Sequence, residues 1–315
     1  MKKRIDLRPI LNGNCETHCG KEVRQEKTEE DLCIQAYSVI DGLSVRCVGP
    51  WAYDKIYFLN RYFDLFAGGM KYHWPDKLAY FEICSGPGRC IDRKNGEEMD
   101  GTPLVILNSK NFDSIKKAYF IDNNHKVVEV LNQRIRNLNQ FPKAEAILGD
   151  YTHGESLEVL IRKTNPNGLN LVFIDPTDCS VPFDTIEHIA SVPHTDIILN
   201  VALWTDLNRN LADAIENPKF TKIRQKYESF LGETHFFTES ESIRFANDRR
   251  SFDLRSAFMV RYKAKLHSLG YQFIASKEIN GFYNLVFAAE HERAYDFWIK
   301  AAENIQPDGQ RSLFS

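Results

Sequence analysis

The chain has 315 residues, enough for one large domain with appendages. At 43% hydrophobic and 26% charged, most of it should fold, and a net charge of −3 excludes a uniformly basic nucleic-acid coat while leaving room for a local basic face. No window approaches the roughly 18 uncharged apolar residues of a membrane span, and the N-terminal MKKRIDLRPILNGNCETHC has no apolar core behind its basic residues, so it does not read as a secretory signal. Seven cysteines, an odd count, read most simply as reduced thiols of a cytoplasmic protein.

Residues 1–50 are polar and are expected to be an irregular N-terminal extension. Within them Cys15, His18, Cys19 and Cys33 form a candidate zinc set, because zinc takes four nitrogen and sulfur ligands in small irregular segments; free thiols are the alternative. Over 52–66 the character changes: Ile56, Leu59, Phe63 and Phe66 recur at helical spacing and predict an amphipathic helix beside the first strand. From Leu78 to about Val201, apolar strand-like runs at 79–84, 117–122, 145–149, 169–174 and 196–201 alternate with helical stripes. These runs are almost wholly apolar, which fits strands buried on both faces of a parallel sheet, and repeated β-α-β units imply a doubly wound α/β sheet. Residues 89–102 interrupt the pattern as a polar loop.

Residues 204–265 read as a polar, largely helical insertion. Its basic run from Arg244 to Lys265, with Phe245, Phe252, Phe258 and Tyr262 interleaved, is either a phosphate-binding face with stacking aromatics or an amphipathic helix with a solvated side. Asn280-Gly281 between two strand-like runs, 271–279 and 283–289, signals a hairpin. A helix over 291–303 closes the main domain (51–303), and 304–315 is expected to be a flexible tail.

The chemistry gathers at strand ends. The run AYFEICSGPG (79–88) carries an apolar strand through Glu82 into Gly86-Pro87-Gly88, and further acids end later strands: Asp122, Asp150 and Asp175. A glycine turn lets backbone press against a ligand. A nicotinamide dinucleotide site needs G-x-G-x-x-G/A opening straight into a helix, with an acid about 20 residues on. Here Ile91 holds the third small-residue position, a polar loop follows, and the next strand-end acid comes much later. S-adenosylmethionine fits better, since Glu82 to Gly88 follows D/E-x-G-x-G-x-G with Cys84 in place of the first glycine. In that reading Glu82, Ser85, Gly86 and Gly88 cradle the cofactor. Asp122 accepts the ribose hydroxyls, while Asp150 and Tyr151 meet the adenine. Asp175 and Pro176 close the fourth strand, where an acceptor would stand. Amine methyltransferases place Asp/Asn-Pro-Pro-aromatic there, whereas this chain has Asp175-Pro176-Thr177-Asp178, so a nitrogen target keeps only half of the pattern. Cys179, four residues on, would be a nucleophile only with a lowered thiol pKa. At the C-terminus, Gln310-Arg311-Ser312-Leu313-Phe314 resembles the Q-x-S/D-L-F peptides that dock in the bacterial sliding clamp.

Longer stretches resemble the three-Cys-motif partner proteins (TcmP), a bacterial family similar to class I S-adenosylmethionine-dependent methyltransferases. These are DGLSVRCVGPWAYDK (41–55), YFEICSGPGRC (80–90), GEEMDGTPL (96–104), FID (120–122), GD (149–150), FIDPT (173–177) and Arg209-Asn210. The family usually reads Y-I-D-L-F-A-G-P-G where this chain has Tyr80 to Gly88, so Glu82 replaces Asp and Cys84 replaces Phe. The resemblance implies a Rossmann-like doubly wound sheet of the class I methyltransferase type with an antiparallel C-terminal hairpin. It also implies S-adenosylmethionine as cofactor and a radical-S-adenosylmethionine-like partner, whose three clustered cysteines name the family. The expected activity is methyl transfer to nucleic acid. The alternatives are a non-catalytic adaptor acting through that partner or the clamp, and a nucleotide-binding enzyme of other chemistry.

Overall fold

The computed structural model describes residues 36–92 and 96–303. In chain order the elements are β1 (Ala36–Tyr37), β2 (Ser44–Val48), α1 (Ala52–Met70), β3 (Leu78–Ile83), β4 (Arg89–Asp92), β5 (Glu98–Asp100), α2 (Thr102–Leu107), β6 (Lys117–Asp122), α3 (His125–Asn137), β7 (Ala144–Leu148), α4 (Gly154–Thr164), β8 (Leu169–Ile174), α5 (Phe183–Ala190) and β9 (Thr195–Val201). Helices α6 (Asn208–Glu216), α7 (Thr221–Leu231), α8 (Ser240–Asn247) and α9 (Ser251–Ser268) follow, then β10 (Phe273–Ile279), β11 (Tyr283–Ala289) and α10 (Glu292–Glu303).

The central sheet has seven strands in the order β10-β11-β9-β8-β3-β6-β7. Counted within this sheet alone and read from the β7 edge, that is 3-2-1-4-5-7-6. Neighbours from β7 to β9 run parallel, and β11 enters antiparallel between β9 and β10. Strands β3, β8 and β9 are buried along their whole length, as their mainly apolar runs predict, and they take Glu82, Asn170, Asp196 and Asn200 into the interior with them. Edge strand β10 is largely solvated and carries Lys277 and Glu278, which blunt it against further pairing.

Apolar side chains fill both faces. Helices α1, α2, α3 and α10 cover one, where Phe58, Tyr62, Phe63, Leu131 and Trp298 are packed. The helices from α4 through α9 cover the other with Leu157, Ile186, Phe230, Phe258 and Tyr262.

Two expected irregular regions are ordered instead. Residues 36–48 and the loop over 89–102 meet in a second sheet, β1-β2-β4-β5, in which β2 runs parallel to β4 through Arg46↔Cys90 to Val48↔Asp92. Each strand is too short to announce itself, and each forms because the other supplies its hydrogen bonds.

Candidate functional site

Strand register sets the site. Ile83 pairs with both Ile121 and Ile174, and Ile174 pairs with Leu199. The next residue on each strand therefore stands in one row along the carboxyl edge: Asp122, Cys84, Asp175 and Asn200. Strand order reverses between β3 and β8, the place where open α/β sheets take ligands.

The glycine turn sits above this row. Gly86 and Gly88 have φ of +68° and +88°. A Cβ at Gly86 would meet only the Arg46 Cδ, at 3.8 Å, so the backbone there presents an open surface. At Gly88 it would come within 2.8 Å of Leu131 Cδ1, so that glycine is demanded by packing on α3. Cys84, standing where such turns carry their first glycine, also takes φ +63°, a conformation that costs an L-residue about 1–2 kcal/mol. Asp122 organises the turn: its Oδ2 accepts from the Gly86 N–H at 3.0 Å and its Oδ1 from the Asn124 N–H at 3.0 Å. Ser85 is 7% exposed and its Oγ has no hydrogen-bond partner, an orphaned polar atom within the turn.

A residue from outside the expected set locks the turn from behind. Arg134, 3% exposed, donates from Nη1 to the Pro87 carbonyl at 2.6 Å and the Ser44 carbonyl at 2.8 Å. Its Nε and Nη2 grip Asp41 at 2.8 and 2.9 Å. One guanidinium thus ties the glycine turn to the second sheet. The pairing with Arg134 and the Leu43 N–H hold the Asp41 carboxyl below its ordinary value against the opposing effect of burial, which is the largest single influence on it.

Glu82 does not line the open cleft. It is fully buried, Tyr80 donates its hydroxyl to Oε2 at 2.9 Å, and Thr102 Oγ1 donates to Oε1. Burial pushes its carboxyl up to about 8 despite the Thr102 hydrogen bond, so it is protonated at neutral pH and serves the interior rather than a cationic ligand. Asp150 is exposed and makes a local turn, accepting from the Thr152 N–H at 2.8 Å and the Thr152 hydroxyl at 2.7 Å, with His153 at 3.0 Å. These bonds, the Thr152 hydroxyl first, hold its carboxyl low. Tyr151 is partly buried against the core beside α5, where its carbonyl accepts from Thr185 Oγ1 at 2.8 Å.

At the other side of the switch point, Asp175 is nearly enclosed. Lys55 Nζ donates to its Oδ2 at 2.5 Å, and Asn200 Nδ2 to its Oδ1 at 2.7 Å. Burial alone would push the Lys55 ammonium down; Asp175, then Tyr283, outweigh it and keep Lys55 cationic. Asn200 is 1% exposed and its Oδ1 has no partner, a second orphaned acceptor in the row. Lys55 also stands 5.7 Å from the Tyr283 ring centre, and Trp51 stacks on Phe282 at 4.3 Å. Rings from α1's entry and the β10–β11 turn thus stand near Lys55. Pro176 itself is buried. Below the loop that follows, Asp206 accepts from Lys226 Nζ at 2.6 Å, the Tyr227 hydroxyl at 2.6 Å and the Cys179 N–H at 2.9 Å, which fixes residues 177–179.

Sequence reasoning missed Lys55, Asn200 and Arg134. Lys55 ends the quoted stretch 41–55, and that was its only signal. A lone Asn at a strand end and an Arg in an amphipathic helix carry none.

Other expectations change. Cys179 is fully buried, and burial drives its thiol well above the ordinary value, the opposite of a nucleophile. Phe245, Phe258 and Tyr262 are core side chains, leaving Phe252 as the exposed ring of that set. The basic run is largely paired: Arg244 with Glu241, Arg249 with Asp213 and Glu216, Arg250 with Asp253, and Arg261 with Glu233 and Glu239. With Phe258 and Tyr262 in the core the stacking face is not formed, and the charges of α9 lie in ion pairs or partly buried rather than on a solvated charged side. The zinc candidates Cys15, His18, Cys19 and Cys33, and the clamp-like Gln310–Phe314, lie outside the described residues. Among the described residues no group of three or more His, Cys, Asp or Glu is placed to hold a metal ion, and no helix is long and apolar enough to cross a membrane.

No family model matches this chain, and no curated protein matches it. Among solved structures it is similar to an O-methyltransferase from Bacillus cereus in complex with S-adenosylhomocysteine, at 10% identity, 73% of this chain, 80% of that one and a TM-score of 0.38. Magnesium protoporphyrin IX methyltransferase from Synechocystis overlaps at 12% identity, 76% and 93% coverage and a TM-score of 0.37. An rRNA methylase from Streptococcus thermophilus overlaps at 9% identity, 71% and 93% coverage and a TM-score of 0.35. Those overlaps are too loose to assign a function, so the assignment of fold rests on this chain's own strand order. A seven-stranded 3-2-1-4-5-7-6 sheet with its antiparallel hairpin makes this a Rossmann-like fold of the class I methyltransferase type.

Proposed function

We propose that this chain binds S-adenosylmethionine and transfers its methyl group to nucleic acid, at a nitrogen atom. The observation that supports this best is a pair of buried polar atoms without partners, Ser85 Oγ beside the open glycine turn and Asn200 Oδ1 at the β9 end of the carboxyl-edge row. In this reading Ser85, Gly86 and Gly88 contact the cofactor, Asp122 takes its ribose, Asp150 and Tyr151 flank its adenine, and Arg46 suits its carboxylate. When bound, the cofactor supplies a methyl group on a sulfonium, activated for in-line transfer. The protein's part is placement. Asn200 Oδ1 accepts an N–H of the acceptor, and Asp175 orients the acceptor from beside it. Lys55 keeps Asp175 ionised, and the rings of Trp51, Phe282 and Tyr283 wall the acceptor side.

Calorimetry with S-adenosylmethionine and S-adenosylhomocysteine tests the cofactor, and absence of binding at millimolar ligand defeats the reading. Radiolabel transfer to DNA, RNA and lysate protein tests the acceptor. Asp175→Ala should lower transfer by about 10²–10⁴-fold while leaving product binding intact; unchanged transfer would remove Asp175 from this role. A second reading, a methyltransferase-like adaptor, is favoured by one observation: both Asp175 oxygens are already bonded inside the protein. It requires cofactor binding without label transfer. Membership of the three-Cys-motif partner family and docking to the sliding clamp belong to the same proposal, supported by the sequence stretches alone. Pull-down of the clamp with and without residues 310–315 tests the second of these.

A further inference from the structure

A groove away from the carboxyl edge carries a different chemistry. Tyr57, Asn60, Arg61, Asp64 and Leu65 form one strip of α1, and Lys110 faces them from the connection between α2 and β6; together they line a cavity of about 300 Å³. Surface helix charges usually find partners one turn away. Here Arg61 and Lys110 have no ion pair or hydrogen bond among the described residues, and the Arg61 Nε–H is buried without an acceptor. A buried donor on a charged group left unmade is costly, and it needs a partner from outside the protein, such as water, an ion or a ligand. Asp64 does not neutralise the pair. Its Oδ1 accepts from Ser109 Oγ at 2.5 Å and Asn111 Nδ2 at 3.2 Å, so it anchors the connection that presents Lys110. Asn60 Oδ1, also buried and unpartnered, adds an acceptor beside the two cations. The Tyr57 ring and the Leu65 side chain supply apolar wall.

We propose that this groove binds a phosphodiester of the nucleic-acid substrate, with Arg61 and Lys110 on the phosphate oxygens, Asn60 on a sugar hydroxyl and Tyr57 and Leu65 against the sugar. Arg61 lies six residues beyond Lys55, about 9 Å along α1 and about a third of a turn around it, so the groove and the acceptor position lie on one helix within two turns of each other. The inference rests on the nucleic-acid reading of the acceptor.

The test is fluorescence anisotropy of a labelled short single-stranded oligonucleotide on the full chain over a salt series, beside Arg61→Gln/Lys110→Gln. Losing one phosphate contact should make the slope of log affinity against log salt shallower by about 0.7 and weaken binding about five-fold at 0.1 M salt. S-adenosylhomocysteine affinity should stay unchanged, which shows the variant folded. Oligonucleotide binding that is identical in slope and affinity in the variant overturns the groove while leaving the nucleic-acid acceptor standing. No oligonucleotide binding by the unaltered chain overturns both. Inorganic phosphate that binds and is lost in the variant, with oligonucleotide unaffected, assigns the groove to a free phosphate-bearing ligand and also overturns the proposal.

Discussion

Replacing Arg134 by methionine should loosen the glycine turn from its support. The guanidinium bridges Asp41 by two bonds of 2.8 and 2.9 Å and holds the Pro87 and Ser44 carbonyls at 2.6 and 2.8 Å, while only 3% of the residue is exposed. Methionine matches much of the volume but leaves Asp41 with only the Leu43 N–H at 3.0 Å and Arg89 at 3.6 Å, and leaves the Pro87 carbonyl without its donor. Removing one partner of a buried, hydrogen-bonded ion pair costs about 3–5 kcal/mol. Total stability of a domain is of order 5–15 kcal/mol, so the variant should still fold. Urea unfolding should show its midpoint lowered with an unchanged slope, and calorimetry should show S-adenosylhomocysteine binding weakened at least ten-fold. The double variant Arg134→Met/Asp41→Asn should be less destabilised than the sum of the single changes, because the stranded carboxylate is then gone. A loss under about 1 kcal/mol, or strictly additive single changes, would refute the idea that this guanidinium is the clamp behind the turn.

Cys84→Gly should raise the urea midpoint slightly: relief of about 1–2 kcal/mol of left-handed strain is partly offset by about 0.5–1 kcal/mol of extra unfolded-state entropy, and a fall would mean the thiol's packing outweighs its backbone cost. Ser85→Ala should leave stability within about 0.5 kcal/mol, since its Oγ has no partner inside the protein, yet weaken S-adenosylhomocysteine about 3–10-fold by calorimetry; equal affinity would take Ser85 out of the cofactor site. Glu82 and Asp196 are both pushed by burial up to about 8. The folded state therefore binds more protons than the unfolded chain between roughly pH 4.5 and 8, and stability should fall as pH rises through that window. Glu82→Gln should flatten part of this slope in denaturant titrations across pH, and a slope identical to that of the unaltered chain would show Glu82 to be ionised already at neutral pH.

Periodicity and apolar runs alone located the central sheet. Strands 117–122, 169–174 and 283–289 match their expected bounds to the residue, because strands that enter the core are mainly apolar and give way to turn and polar residues at their ends. The glycine turn and the strand-end acids were equally legible, since local backbone demands leave local residue signatures. Tertiary structure decided the rest. The second sheet exists because β2 and β4, distant in sequence and individually marginal, complete each other's hydrogen bonds. Phe258 and Tyr262 looked like an exposed stacking series but are fully buried, because α9 is enclosed by neighbouring helices that a single-helix pattern does not reveal. Asp175 became an ion-paired group through Lys55, brought close by packing, and Glu82 a neutral one through complete burial, against the pull of the Thr102 and Tyr80 hydroxyls. A carboxylate's charge depends on its burial and its partners across space, and neither is written in the residues beside it.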